Sequence, residues 1–439
     1  MVMLIGLVLI IALIIFATTK LRLHPFLTLL GAGILMGFIG GLGTNSIVSE
    51  LANGFGSTLK SIGIVIAFGT IIGTFLELSG GAGAIANFIL NIVGEKRSPL
   101  AMNIIGYIVS IPVFCDSGFV ILSSLNKTLS RKTGISLAVI AVALATGLYA
   151  THVFVPPTPG PLAAAATLGA DVGLVLLFGL IVAVPTSGAG LLWAVFYCKR
   201  FKIKFDEVKE ETKKVNLPST WSAFAPLLVP LVLIAAGSFA DYPTHPFGNA
   251  AMRNMLDFLG NPIIALFIGV GFAFMLKRTN DEGSHFDWAA TGLKNSGLII
   301  LITGAGGAFG NVLRATNIGT TMGSSMAQWH LGILLPFVIA AILKSAQGSS
   351  TVAIITTAAV VSPLLGPMGL TAPIAKALVV LAIGAGSMTV SHLNDSYFWV
   401  VSQFSDMNTP TALRTLTAAT FVQGVVSIVT VYILALIFI

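Results

Sequence analysis

The sequence predicts an all-α polytopic membrane protein with two inverted-topology repeats, each containing a re-entrant hairpin and a broken transmembrane helix. Three observations lead to this fold class. The 439 residues are 56% hydrophobic and only 9% charged, whereas a soluble domain has about 25% charged residues. Apolar runs long enough to cross a bilayer recur along the chain. Polar, glycine-rich or proline-rich interruptions occur at corresponding places in the two halves.

The apolar runs define the predicted spans. The first run, Met1–Thr19, lacks the basic start and the cleavage pattern of a signal peptide, so we interpret it as a transmembrane helix. The later spans are predicted at about 24–43, 59–78, 99–113, 134–150, 173–198, 221–240, 260–277, 296–312, 331–344, 371–390 and 411–438. The polar segment 199–219 is predicted to be a cytoplasmic linker. It separates a first repeat, 1–198, from a second, inverted repeat, 220–439.

The distribution of positive charge predicts the topology. If both termini lie outside, most of the 23 Lys and Arg residues fall on the cytoplasmic side, where they are favoured. This holds only if residues 99–127 enter from the cytoplasm and return to it. FCDSGF, 114–119, would then be the tip of a re-entrant hairpin. In the second half, LKSAQGSSTVAIITT, 343–357, takes the corresponding place and enters from outside.

Two further spans are interrupted, at ATHVFVPPTPGP (150–161) and VSHLNDSYFW (390–399). The prolines at 156, 157, 159 and 161 predict an unwound stretch over 155–161, because proline removes an amide donor and clashes with the preceding turn. Two hairpins and two broken helices in inverted halves are typical of secondary transporters. The sequence has no GxxxxGK[ST] motif, so an ion gradient would have to drive active transport.

Ionisable residues at membrane depth indicate where protons could bind, because such residues are costly there and usually functional. Asp116 is the first candidate, since its carboxylate could exchange a proton beside half-helix N-termini that attract anions. Asp395, in the second broken helix, is the next candidate for proton coupling. His152 and His392 occupy matched positions and could relay a proton.

The second tip has one amide and several hydroxyls, which suit a polyhydroxylated ligand or hydroxyls around a carboxylate. No Arg or Lys clearly lies at the expected site, although Lys344 is close to this tip. The candidate substrate-binding residues are Ser117, Gly118, Thr151, Pro156, Pro157, Thr158, Gln347, Gly348, Ser349, Ser350, Thr351, Ser391 and Asn394. TGAGGAFG, 303–310, lacks the spacing of the dinucleotide fingerprint and predicts close helix packing instead.

Other classes of partner are not indicated. The sequence has no HExxH motif, EF-hand loop or Cys/His metal spacing, so we expect no metal and no cofactor. The net charge of +7 does not indicate nucleic acid, because its distribution follows the predicted membrane topology. The expected partners are a small organic anion, protons or Na⁺, and the lipid bilayer.

Five ordered stretches together resemble the gluconate permease family, a branch of the ion transporter superfamily: VFCDSGFVIL, VPPTPGPLAAA, ITGAGGAFG, SAQGSSTVAIITT and SHLNDSYFW. The resemblance covers nearly the whole chain. It implies proton symport of gluconate or related sugar acids, with a D-serine branch, across a bacterial inner membrane. It also implies the superfamily's inverted repeats and usually a homodimer. The family's functional region corresponds here to Asp116–Gly118, His152, the proline run, Gln347–Thr351 and Ser391–Asp395.

Three residues beside the expected pocket differ from the family pattern. Thr158 stands where the family usually has the His of PPHPGP, Ser117 where Val is common, and Cys115 where an aromatic residue is common. These differences bear on which substrate the site accepts rather than on whether the protein transports.

The sequence therefore predicts a transporter, not an enzyme, which imports a small hydroxylated monocarboxylate such as gluconate by proton symport and alternating access. The alternatives are a carrier of D-serine or another small amino acid, and Na⁺-coupled symport. An intramembrane enzyme using Ser350 and His392 is a further alternative, although the sequence supplies no nucleophile elbow. A passive channel is the last.

Overall fold

The computed structural model describes residues 2–203, 217–240, 250–276, 284–317, 332–393 and 395–439. Most of the predicted linker, 204–216, and the candidate Asn394 lie outside the described residues. The side chain of Gln347 does as well. Every regular element in the described part of the chain is helical, which agrees with the predicted all-α class.

The helices of the first half are α1 (Val2–Thr19), α2 (Pro25–Ile39), α3 (Thr44–Leu78), α4 (Gly81–Val93), α5 (Ser98–Val109), α6 (Cys115–Thr133), α7 (Leu137–Phe154), α8 (Pro159–Leu168) and α9 (Val172–Phe196). Short 3₁₀ turns follow α4 and α9. Helix α4 was not among the predicted spans. It begins after Gly80, whose φ of 75° is a left-handed conformation that glycine adopts without strain.

The helices of the second half are α10 (Thr220–Ala240), α11 (Ala250–Gly260), α12 (Pro262–Phe274), α13 (His285–Ala315), α14 (Leu334–Gln347), α15 (Ser350–Val361), α16 (Pro373–Met388), α17 (Ser396–Phe404), α18 (Thr409–Ala412) and α19 (Ala418–Phe438). A π-helical turn, Leu413–Thr417, joins α18 to α19.

Within the described residues, five helical segments are long and apolar enough to cross a membrane, and two bent pairs raise that number to seven. The five are Leu137–Leu168, Val172–Arg200, Thr220–Gly237, His285–Ala315 and Thr409–Phe438. Most other predicted spans correspond to shorter apolar helices, such as α2, α14 and α16. The chain is therefore a multi-pass membrane protein.

The helices pack in two groups, and each group draws on both halves of the sequence. In one group α3 packs on α13 and α12, α13 on α2, and α10 on α12. In the other, α7 packs on α5 and α9, α19 on α9 and α16, and α14 on α16. The division into repeats at 1–198 and 220–439 remains a prediction, and the packing shows that the two halves intermesh.

Glycines bring α3 and α13 close together. A Cβ on Gly54 would lie 2.5 Å from the Gly307 carbonyl oxygen, and one on Gly307 would lie 1.9 Å from Thr58 Oγ1. Since real Cβ atoms do not approach that closely, only glycine fits either position without a shift. The close packing predicted for 303–310 is therefore confirmed.

Replacing Gly307 by Leu is expected to lower the free energy of unfolding by about 1–3 kcal/mol or more, because the added side chain has no space. Thermal unfolding of the purified protein in detergent measures this change. Gly297→Leu is the matched control. Gly297 lies on the same helix, and a Cβ there would have no neighbouring atom within 4 Å. Equal melting temperatures for the two variants would refute the packing explanation.

Four interruptions lie in the group that contains α5–α9 and α14–α19. Break 1 covers 110–114, between α5 and α6, and break 2 covers 155–158, between α7 and α8. Break 3 covers 348–349, between α14 and α15, and break 4 covers the described residues 389–393 and 395, between α16 and α17. The helices that follow the breaks pack in two pairs, each with one helix from either half of the chain. Helix α6 packs on α17, and α8 packs on α15. This packing places the helix after break 1 beside the helix after break 4, and the helix after break 2 beside the helix after break 3.

Two predicted boundaries differ from the structure. The first tip was placed at FCDSGF, but the break ends at Phe114, and Asp116 and Gly118 lie in the first turn of α6. The proline run was expected to be unwound throughout, but Pro159 and Pro161 lie in the first turn of α8. Proline is tolerated there because the amides of a first helical turn have no intrahelical partner.

Candidate functional site

A buried ion pair lies where breaks 3 and 4 meet. Lys344 Nζ is 2.6 Å from Asp395 Oδ2, and the two side chains are 0% and 5% exposed. Lys344 lies in the last turn of α14, and Asp395 caps the N-terminus of α17. A single buried charge is strongly destabilising, whereas a close pair neutralises both charges. The pair therefore joins the last turn of α14 to the N-terminus of α17.

Backbone and hydroxyl groups satisfy the rest of the pair. Lys344 Nζ also donates to the carbonyl oxygen of Gly348, in break 3. Ser391 Oγ donates to Asp395 Oδ2, and the Tyr397 amide donates to Asp395 Oδ1 at 3.1 Å. The Gly348 carbonyl is turned to this position by a φ of 86°, which favours glycine. The predicted residues Gly348 and Asp395 thus both accept from Lys344, and the predicted residue Ser391 donates to Asp395.

Two tyrosines connect this cluster to α7. Tyr149 Oη is 2.6 Å from Ser350 Oγ in the first turn of α15, and Lys344 Nζ is 5.8 Å from the centroid of the Tyr149 ring. The Tyr149 and Tyr397 rings lie 5.1 Å apart. Tyr397 Oη donates to the carbonyl oxygen of Ala145 at 2.8 Å. Hence α7, α15 and α17 are linked around the ion pair.

Replacing Tyr149 by Phe is expected to lower the free energy of unfolding by about 1 kcal/mol, because Ser350 loses a buried hydrogen-bond partner. The melting temperature in detergent is the measurement. Tyr432→Phe is the control, since Tyr432 is 45% exposed. Identical melting temperatures for the two variants would show that the Tyr149–Ser350 bond contributes nothing.

Asp116 lies beside the ion pair, in the first turn of α6. The Ser396 side chain hydrogen-bonds its carboxylate, and Asp116 interacts electrostatically with both Asp395 and Lys344. Its Oδ1 atom is buried and has no hydrogen-bond partner among the described residues. A buried carboxylate oxygen without a donor is costly, so this atom is suited to receive a proton or a ligand donor.

Ser117 and Gly118 follow Asp116 but serve other contacts. The Ser117 side chain hydrogen-bonds Glu77, near the end of α3. A Cβ on Gly118 would lie 2.8 Å from Leu148 Cδ2, so this glycine lets α6 approach α7. Glu77 was not among the predicted site residues, although it is a carboxylate at the end of an apolar span.

The two matched histidines differ in their surroundings. His152 is buried at the end of α7, its Nδ1 atom has no partner within the described part of the chain, and its ring lies 6.0 Å from that of Phe114. His392 is half-buried in break 4, where its Nε2 atom is 2.9 Å from the Ser345 carbonyl oxygen. His152 is thus the one closer to break 1, and His392 ties break 4 to α14.

The remaining candidates of break 2 make local contacts. Thr158 Oγ1 donates to the Val155 carbonyl oxygen at 2.6 Å, and Thr151 Oγ1 points to the Leu148 carbonyl oxygen at 3.5 Å. Pro156 and Pro157 are joined by a cis peptide bond. These four residues are buried, and their hydroxyls already have acceptors.

The hydroxyl-rich second tip is partly used in capping. Ser349 Oγ accepts from the Val352 amide at 3.3 Å and so caps α15. Thr351 is half-buried in the first turn of the same helix. Break 4 is held by α19 and by the π-helical turn before it, since the Ser391 amide donates to Thr420 Oγ1 at 3.0 Å and its carbonyl oxygen accepts from Thr417 Oγ1 at 2.5 Å.

The sequence prediction noted Lys344 near the second tip but did not count it among the candidate site residues. It placed no Arg or Lys clearly there, whereas Lys344 lies at the centre of breaks 3 and 4. The signal was present, because a lysine inside an apolar helix at membrane depth needs a partner, and Asp395 was already a candidate. Tyr149, Tyr397 and Ser396 gave no comparable signal, because only the packing of α6, α7 and α17 brings them in.

Two observations bear on other ligands. No group of three or more His, Cys, Asp or Glu side chains suited to a metal occurs in the described ranges. A cavity of about 640 Å³ lies away from the breaks. It is lined by residues near the ends of α6 and α9, among them Ser130, Ser136, Lys199 and Lys202. We place the candidate site at the breaks rather than at this cavity, because the buried Lys344–Asp395 ion pair lies at the breaks.

The sequence profile of the GntP family permeases matches residues 1–437. The chain belongs to this family. The GntP family member is 35% identical over 429 residues to a gluconate permease of Pseudomonas aeruginosa, covering 95% of this chain and 94% of that protein. It is 32% identical over 437 residues to the D-serine transporter DsdX of Escherichia coli K12, covering 97% of each. It is therefore a permease rather than an enzyme.

The fold of this GntP family permease resembles that of the Alcanivorax borkumensis YdaH transporter, seen in a crystal structure. The TM-score is 0.61 at 14% sequence identity, and the match covers 90% of each chain. At this identity the likeness concerns the fold alone. It agrees with the polytopic helical architecture described above.

Proposed function

We propose that this permease imports a small hydroxylated monocarboxylate, gluconate or a related sugar acid, by proton symport. The observation that carries the proposal is the half-buried Asp116, whose buried Oδ1 atom has no donor among the described residues, beside a buried lysine–aspartate pair. The site therefore offers one position for a proton and one cation for an anionic ligand.

The charges of the site explain why a proton would accompany the anion. Lys344, Asp395 and Asp116 together carry one net negative charge when all are ionised. A monocarboxylate adds another negative charge to a buried site, which is unfavourable unless a positive charge enters with it. A proton on Asp116 supplies that charge. Asp395, His152 and His392 are the further candidate proton carriers. Asp395 ranks behind Asp116 because three groups already donate to its carboxylate.

The hydroxyl groups of the substrate would meet a polar surface formed by the breaks. Ser350 and Thr351 lie in the first turn of α15, and Ser117 in the first turn of α6. The first turns of these helices also present amides that suit an anion. Ser349 and Ser391, with Gln347 and Asn394, complete the set that we propose for substrate binding. Thr151, Pro156, Pro157, Thr158 and Gly118 would shape its wall.

We further propose the architecture predicted from the sequence: inverted repeats, re-entrant hairpins at breaks 1 and 3, and broken helices at breaks 2 and 4. The packing of α6 on α17 and α8 on α15 supports this pairing. The helix group that contains the breaks would move against the group built on α3 and α13. The protein would be a homodimer in a bacterial inner membrane, with both termini outside.

A D-serine carrier is the second candidate function. Two D-serine transporters are among the relatives, each 32% identical over 97% of this chain. Lys344 would face the carboxylate of an amino acid, and the Asp116 carboxylate would face its ammonium group. A zwitterion adds no net charge, so this substrate would need no proton to balance it.

Uptake of labelled gluconate into proteoliposomes, with and without an inward pH gradient, tests the proposal. Unlabelled gluconate, glycerate and D-serine serve as competitors, and a Na⁺ gradient at fixed pH is the second arm. Accumulation that follows the pH gradient and is blocked by sugar acids is the expected result. Accumulation that follows Na⁺, or that only D-serine blocks, would refute proton symport or the sugar-acid substrate, respectively.

A further inference from the structure

We propose that Lys344 is the receptor for the substrate carboxylate and that Asp395 is its internal competitor, which the substrate displaces. This inference rests on the proposed function and specifies the ligand class of its site. The site would accept anions and zwitterions that carry a carboxylate, and it would reject neutral polyols of the same size.

The carboxylate of Asp395 lies at Lys344 Nζ, where the ligand carboxylate would bind after the exchange. An ammonium group has three N–H donors. In Lys344 one donates to the Gly348 carbonyl oxygen, and another to Asp395 Oδ2 at 2.6 Å. The carbonyl belongs to the tip of the hairpin and stays with Lys344, four residues away in sequence. Asp395 is 51 residues away and lies on a separate break, so it is the partner that can be exchanged.

The choice of cation follows from burial. Among the residues that the structure describes, Lys344 is the one Lys or Arg that is fully buried. Arg314, in the last turn of α13, is exposed and donates to the Thr167 carbonyl oxygen, so it is committed to helix packing. A charge-assisted hydrogen bond to a carboxylate is about twice as strong as a neutral one. Lys344 is therefore the group that can distinguish an anion from a polyol.

Break 4 offers a route to the pair and a means to move. Leu393 is 48% exposed, so the break reaches the surface two residues before the buried Asp395. Val390, in the same break, has a φ of 59°. A β-branched residue in the left-handed region is strained. Release of Asp395 from Lys344 would free a strained segment, and this couples ligand binding to movement of α17.

The exchange keeps one carboxylate paired with the Lys344 ammonium throughout. The ligand carboxylate takes the place of Asp395 at Nζ, and no covalent bond forms or breaks. Asp395 keeps its Ser391 and Tyr397 donors but loses its cation. The proton that enters with a hydroxy acid, or the ammonium of an amino acid, compensates that loss at Asp395 or at Asp116.

Binding measurements on two purified variants test the exchange. Lys344→Met combined with Asp395→Asn removes both charges and leaves no single buried charge, so it is designed to fold. Asp395→Asn alone removes the competitor and keeps the receptor. Labelled D-gluconate and D-serine are the carboxylate probes, and D-glucitol is the neutral probe of matched size. Lys376→Met, a surface lysine that reaches the Gly169 carbonyl oxygen, is the control.

The exchange predicts opposite changes in the two variants. The double variant should bind gluconate at least about tenfold more weakly than the wild type, because a charged hydrogen bond is lost. Asp395→Asn should bind gluconate more tightly, and gluconate should raise its melting temperature more than that of the wild type. Glucitol should not bind to any of these proteins.

Three results would overturn the exchange. Unchanged gluconate affinity in the double variant would show that Lys344 is only a structural partner of Asp395, while gluconate transport would stand. Weaker gluconate binding by folded Asp395→Asn would show that Asp395 supports the ligand rather than competing with it. If the wild type bound neither gluconate nor D-serine, the proposed function itself would fail, and the exchange with it. If Asp395→Asn does not fold, the double variant decides alone.

Discussion

Asp116→Asn is expected to abolish accumulation driven by a pH gradient. One pH unit is worth about 1.36 kcal/mol per proton, so wild-type protein moving one proton per substrate can reach about tenfold accumulation. The amide of Asn cannot take up that proton, and the variant should only equilibrate its substrate. The measurement is the final ratio of internal to external labelled gluconate in proteoliposomes under a one-unit gradient.

The control for this variant is Asp406→Asn. This variant also removes a carboxylate. In the wild type, Asp406 Oδ2 lies 2.9 Å from Lys127 Nζ, and both side chains are partly exposed. Exposed pairs contribute only about 0–1 kcal/mol, so its accumulation ratio should match the wild type. Full accumulation by Asp116→Asn would remove Asp116 from the coupling path and leave Asp395, His152 and His392 as candidates.

Lys344→Met is expected to have the largest effect on stability. It leaves the Asp395 carboxylate buried without its cation, and breaking a buried pair from one side costs about 3–5 kcal/mol. Adding Asp395→Asn should restore most of that loss, because replacing both charges removes the unpaired one. Melting temperatures of the two purified variants in detergent measure the difference.

A surface pair provides the comparison. Lys132 and Glu95 lie 3.0 Å apart with side chains 56% and 54% exposed, so Lys132→Met should change the melting temperature little. If Lys344→Met were as stable as Lys132→Met, Asp395 would have to be neutral or solvated in the folded protein. The buried ion pair would then be no basis for a binding site.

The helical class and the positions of the breaks could be predicted because they depend on local properties. Apolar length and low charge indicate membrane helices, and glycine, proline and polar residues interrupt them. The same reasoning misplaced two boundaries. Phe114 ends break 1 and leaves Asp116 inside α6, while Pro159 is accommodated in the first turn of α8. Sequence alone does not distinguish a break from the helical turn that follows it.

The contacts of the site could be predicted only in part. Asp116, Ser350, Ser391 and Asp395 were expected as separate polar residues, and each lies near the breaks. The pairing of Lys344 with Asp395 joins residues 51 positions apart on different helices. The Tyr149–Ser350 bond spans 201 positions. Such contacts depend on how α6, α7, α14 and α17 pack, and helix periodicity contains no information on that packing.

The most direct test of proton symport is to measure proton entry itself. Proteoliposomes loaded with a pH-sensitive dye, with no imposed gradient and with potassium and valinomycin to dissipate the membrane potential, receive external gluconate. We predict acidification of the lumen with the wild type, none with Asp116→Asn, and none when glucitol replaces gluconate. Gluconate entry by the wild type without any change of internal pH would contradict proton symport and the role assigned to Asp116.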